Sequence, residues 1–207
     1  MQLTLESSRD LLHTHMQNQN LRRHCYAVGH TLRAFHDYYS GDLGQSAVSK
    51  FASVGGLGSL TVDQWEIVGT LHDCDWEITT NEPDKHTVLL LEWLKDYECP
   101  QELLQVFQSH NNKHTNLREP KTLLEWTLEC CDELTGFIVA VTLVRPEKKL
   151  EFVDTSNVLK KFKQKEFARA VDRSQISQCD EKLGVPLEKF IDITLNAMKQ
   201  HSEDLGL

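Results

Sequence analysis

The sequence has no CxxC pair among its six cysteines, so no zinc-finger or disulfide framework is indicated. Cys25, Cys74, Cys99, Cys130, Cys131 and Cys179 are scattered singly near apolar residues, the pattern of buried, reduced thiols in a cytoplasmic protein. Long apolar runs are missing too. The longest lies within GFIVAVTLV, residues 136–144, far short of the roughly 20 residues that a membrane span needs. The N-terminal MQLTLESSRD has no basic segment leading into an apolar one, so no secretory signal is expected. Positive charge is scarce: 22 Lys and Arg face 31 Asp and Glu, and the net charge of −9 argues against a general nucleic-acid or anionic-membrane binder. A small anionic substrate held by metal ions and a few local cations remains compatible with that charge. Alternating strand patterns, internal repeats, a phosphate-cradling glycine loop and a base-reading motif are all absent.

What is present is helical periodicity across an ordinary soluble composition of 40% hydrophobic and 26% charged residues. A length of 207 residues suits a single domain that buries its own core. From Asn20, the residues Leu21, Cys25, Val28, Leu32 and Phe35 recur at threes and fours, predicting a helix to about Tyr39. From about Pro120 to Val144 a second stripe runs through Leu124, Leu128, Cys131, Leu134, Ile138 and Val141, apolar on most faces in its second half; Arg145-Pro146 ends it. Shorter helices are predicted over 4–17, 63–72, 84–97 and 101–109. Three or four more follow after Ser156, the last beginning near Pro186 and completing the bundle by about residue 205. Residues 40–61, with GDLGQS and SVGGLGSL, read as a flexible loop or lid. The expected fold is therefore all-α, one helical bundle spanning 1–207.

Ten histidines are present, and any single one is more often exposed, or a satisfied core residue, than a ligand. The combination carries more weight. His24 adjoins the apolar stripe of the second helix, His72-Asp73 close the helix after WEIVGTL, His86 opens the next, and His110 ends VFQSH. Asp132 interrupts an apolar helix, where an unpaired buried carboxylate is costly, so it must meet water, hydrogen-bond donors, a cation or a metal. Imidazole nitrogen mixed with carboxylate oxygen suits Fe, Mn, Ni or Zn rather than Ca.

The order His24, His72-Asp73, Asp132 resembles the His…His-Asp…Asp signature of the HD-domain metal-dependent phosphohydrolase superfamily. The strings NLRRHCYAVGHTLRAF, WEIVGTLHDCDWE, CDELTGFIVAVTLVRPEKKL, VLKKFKQKEFARAVDR and NAMKQHSEDLGL are similar to its small standalone bacterial HDIG-type branch. The resemblance covers nearly the whole chain except 40–61, which looks like an insertion; Cys74 stands where an aliphatic residue is common. It implies a dinuclear centre: His24, His72, Asp73 and Asp132 on one divalent ion, with Asp73 bridging to a second held by His86 and His110. The implied activity is hydrolysis of a phosphate ester or nucleotide by a metal-activated water, with His72 and Asp73 central to catalysis. Relatives that share the ligands but oxidise their substrates at a mixed-valent di-iron centre, and non-catalytic nucleotide-binding or regulatory modules, are the alternative functions.

Further residues are supporting candidates. Asp75 and Glu77 are placed to orient ligand histidines or handle protons, and His114 to act as an acid near the site. Arg145, Lys148, Lys149 and Lys161 form a local basic excess that could clamp a phosphate. Side chains of adjacent helical residues diverge by about 100°, and a dinuclear centre accommodates this without strain if the His72-Asp73 doublet sits at a helix end facing other helices.

Overall fold

The computed structural model describes residues 1–207 and contains helices without strands; one isolated parallel bridge joins Gln2 to Glu98. Helix α1 (Leu5–His15) begins where the Thr4 and Ser7 side chains cap each other's backbone N–H groups. Helix α2 (Gln19–Ser40) follows, its first turn capped by the Asn18 side chain. After α3 (Gln45–Lys50), helix α4 (Val62–Leu71) starts at a Thr61–Gln64 capping box, and α5 (Trp76–Thr79) is one turn. Then come α6 (Val88–Trp93), α7 (Gln101–His110) and the single-turn α8 (Asn112–Thr115). The long α9 (Leu123–Leu143) opens on a Thr122–Glu125 capping box. The chain finishes with α10 (Thr155–Phe162), α11 (Arg173–Gln178), α12 (Leu187–Gln200) and α13 (Ser202–Leu205). No helix is long and apolar enough to cross a membrane.

Helices α2, α4, α9 and α12 enclose the core. Val28, Leu32 and Phe35 of α2 meet Val68 and Leu71 of α4, Leu134 and Ile138 of α9, and Phe190 of α12, all within one apolar cluster. Phe35 and Phe190 lie with ring centroids 4.4 Å apart, and truncating such a buried aromatic costs about 3–5 kcal/mol. The approach of α2 to α4 depends on two glycines. A Cβ on Gly69 would lie 2.5 Å from the Gly29 nitrogen, and one on Gly29 would lie 2.7 Å from Thr70 Oγ1. Backbone therefore touches backbone. This crossing brings the start of α2, with His24, against the end of α4, with His72 and Asp73.

Two segments differ from expectation. Within the stretch 40–61 read as a flexible loop or lid, residues 42–54 form a series of 3-10 and α-helical turns, and buried Ala47, Phe51 and Leu60 anchor the segment. Their apolar residues are too few for a visible period; Ala47, Phe51 and Leu60 reach the core, and Leu43 and Val54 stay exposed. The helix expected over 84–97 begins only at Val88, and Thr87 takes a left-handed conformation at φ 68°. Asn111 Nδ2 donates to the carbonyls of Pro83 and His86, at 2.6 and 3.0 Å, and so supports a turn where local propensity favours helix. His86 accordingly projects from a turn rather than from the helix.

Candidate metal centre

His24 comes from the second turn of α2, His72 and Asp73 from the turn that ends α4, His86 from the turn before α6, His110 from the last residue of α7, and Asp132 from the middle of α9. The fold brings all six side chains together. His24 Nε2 lies 2.9 Å from Asp132 Oδ1 and 3.6 Å from Asp73 Oδ2. His72 Nε2 lies 3.5 Å from each of those oxygens. The other oxygen of Asp73, Oδ1, faces His86 Nε2 at 3.3 Å and His110 Nε2 at 3.6 Å. Asp73 thus divides the donors into two groups, His24–His72–Asp73–Asp132 and Asp73–His86–His110, and in each the donor atoms lie within 4.8 Å of one another.

The opposite nitrogen of every ring is tied down. His72 Nδ1 is 2.7 Å from the Gly69 carbonyl, His86 Nδ1 is 2.7 Å from Asp75 Oδ1, and His110 Nδ1 is 3.1 Å from Glu129 Oε1. A carbonyl or carboxylate oxygen can only accept, so each of these Nδ1 atoms carries the proton. Thr135 spends its own hydroxyl proton on the Asp132 carbonyl at 2.9 Å, and so accepts from His24 Nδ1 at 3.3 Å. Four Nε2 lone pairs are left facing carboxylate oxygens. That arrangement is repulsive unless a cation, either a proton or a metal ion, lies between them.

The ionisation behaviour has the same cause. Burial opposes charge on His24, His86 and His110, but hydrogen bonds to Asp132, Asp73, Asp75 and Glu129 outweigh it and hold all three above the ordinary imidazole range. Burial likewise opposes charge on Asp73 and Asp132, and the surrounding histidines pull both below the usual carboxylate range. His72 is fully buried, and its Nε2 has no hydrogen-bond partner. An orphaned ring nitrogen aimed at two carboxylates fits a metal ligand, and the mixed N/O donor set fits a borderline divalent ion. Cys25, Cys74 and Cys131 lie close by in sequence; burial pushes their thiols up, and none of them belongs to either donor group.

The supporting candidates separate. Asp75 is completely buried and receives both His86 Nδ1–H and the Leu90 amide, the latter at 3.0 Å. Glu77 instead accepts the Gln17 and Asn18 amides, at 2.7 and 3.0 Å, which ties the α1–α2 turn and takes its carboxylate away from the centre. His114 lines the cavity over the donors, a space of about 460 Å³, together with Lys113, Trp76 and Gln175. The basic tract does not reach it. Arg145 bonds Asn157 at 3.0 Å, Lys149 lies near Glu151 at 3.9 Å, Lys161 covers the Phe167 ring, and Lys148 is exposed and lines no part of the cavity. These four follow the end of α9, beyond the turns that hold Asp132, so the phosphate-clamp expectation for them is not supported.

Comparison with protein-family models, curated proteins and solved structures returned no match. Sequence reasoning missed Glu129, Thr135 and Lys113. Glu129 and Thr135 stand three residues before and after Asp132, on the same face of α9, so helical spacing from Asp132 was the available signal. Another cluster, His30, His201 and Asp204, is different in kind. Its two rings stack at 3.7 Å and 8°, so their lone pairs lie in two nearly parallel planes instead of meeting at one point.

Proposed function

We propose that this chain is an HD-type, metal-dependent phosphohydrolase acting on a small phosphate ester or nucleotide at a dinuclear centre. The observation that carries the reading is the position of Asp73, with one carboxylate oxygen toward His24 and His72 and the other toward His86 and His110. His24, His72, Asp73 and Asp132 would hold one divalent ion, and Asp73, His86 and His110 a second. Two such ions supply Lewis acidity, lowering the pKa of water and neutralising charge on a phosphoryl group.

The chain's own groups have separable tasks. Gly69, Asp75, Glu129 and Thr135 hold the four imidazoles in one tautomer and orientation before any ligand arrives. Lys113 supplies a cation on the cavity wall for a phosphate oxygen, and His114 a group able to hand a proton to the leaving oxygen. The test is phosphate release from a panel of nucleotides and phosphate esters, using protein saturated in turn with Mn²⁺, Fe²⁺, Ni²⁺ or Zn²⁺. Asp73→Ala and chelated wild type are expected to be inactive, and full activity in either overturns the reading. Oxygen consumption after aerobic iron loading, with a half-integer-spin EPR signal, would assign the same ligands to oxidative chemistry.

A further inference from the structure

A second cavity, of about 340 Å³, adjoins the metal cavity, and His24 and Gly136 line both. Its character is different. Ala27, Val139, Leu143, Leu205 and Leu207 form its wall, with Asn20 and Arg23 as polar neighbours. For scale, a dry apolar cavity of roughly 150 Å³ takes up benzene, so this one has room for an alkyl chain or a fused aromatic pair.

Gly136 is the informative residue. It sits in the interior of α9, where glycine costs about 1 kcal/mol relative to alanine. Gly29 and Gly69 are required by backbone contact, but a Cβ at Gly136 would meet nothing within 4 Å. Packing does not require a glycine there. What the missing side chain leaves is open space at the boundary of the two cavities, beside the imidazole of His24.

We infer that the second cavity seats the organic part of the substrate, that this part is a hydrocarbon or aryl group rather than a sugar or polyol, which selects a phosphate ester over a nucleotide, and that Gly136 keeps the passage to the metal centre open. The inference rests on the phosphohydrolase reading for the position of the phosphate. Gly136 is a specificity-determining position: it touches no reacting atom, and it sets how large a group can extend from the phosphate. Filling the passage disfavours long ligands relative to short ones.

The test is calorimetric titration of Mn²⁺-loaded protein with methylphosphonate, hexylphosphonate and 1-hexanol. Each buried CH₂ strengthens binding roughly fourfold, so hexylphosphonate, with five more of them, should bind on the order of 1,000-fold more tightly than methylphosphonate when the whole chain is buried. Gly136→Leu should abolish most of that advantage, read as the ratio of the two affinities, and its melting temperature should not fall. Val139→Asn, which puts an amide on the wall, should reduce the advantage as well and serves if Gly136→Leu does not fold. Equal affinity of the two phosphonates, or a hexyl advantage untouched by both variants, overturns the inference. Hexanol and hexylphosphonate binding alike, with no gain from Mn²⁺ and both weakened by Gly136→Leu, would uphold the apolar seat and refute the phosphohydrolase reading instead.

Discussion

Asp75→Asn separates a designed metal centre from a chance gathering of histidines. Asp75 is wholly buried and binds no part of the donor cluster directly except through His86. Its two oxygens receive the His86 Nδ1 proton at 2.7 Å and the Leu90 amide at 3.0 Å. Asparagine keeps the shape but only one accepting oxygen, so either His86 or Leu90 loses its acceptor. Loss of a carboxylate that orients a ligand histidine lowers metal affinity by about 10–100-fold, or roughly 1.4–2.8 kcal/mol. His86 belongs only to the group with His110, so the loss should fall on one of two sites. Calorimetric titration of chelated protein with Zn²⁺ or Mn²⁺ resolves this as one weakened binding step beside one unchanged step. Unaltered binding, or equal weakening of both steps, would refute the assignment of Asp75 and the division of the donors by Asp73.

Other consequences concern pH, packing and the α1–α2 turn. In chelated protein the raised pKa values of His24, His86 and His110 add stability that is complete below about pH 6.5, the unfolded value. That stability is lost as pH rises through the folded values, so denaturant midpoints of chelated protein should fall on going alkaline. Metal binding displaces the same protons, so metal affinity should instead rise with pH; parallel slopes for the two would contradict this. Gly29→Ala should destabilise by about 1–3 kcal/mol, read as a lower melting temperature, because its Cβ would meet Thr70 Oγ1 at 2.7 Å and the Glu66 carbonyl at 3.0 Å. Glu77→Ala should lower stability by about 1–2 kcal/mol through the freed Gln17 and Asn18 amides, and leave metal stoichiometry unchanged.

The helices that build the centre were legible because they are long and strongly periodic. The stripes of α2 and α9 located His24 and Asp132 on core-facing helices. His72 and Asp73 meet despite adjacent positions because they lie in the turn after α4, facing α2 and α9, as the helix-end condition required. The turn holding His86 was not legible, since Asn111, some 25 residues away, satisfies its carbonyl. Nor was segment 41–61, whose glycines and serines mask three buried apolar anchors. The basic tract misled because charge along a chain carries no information on which way a side chain points. Lys113, isolated in sequence, lines the cavity, and Lys161 lies over a phenylalanine ring.

The bridging position of Asp73 is the central claim, and metal content tests it most directly. Wild-type protein and Asp73→Ala, each saturated with Mn²⁺ and passed through a desalting column, should be counted by plasma mass spectrometry alongside a circular dichroism check of fold. Two ions per wild-type chain and fewer than one per folded Asp73→Ala chain are predicted. A folded Asp73→Ala chain that retains two ions, or a wild-type chain that retains none, would contradict the account.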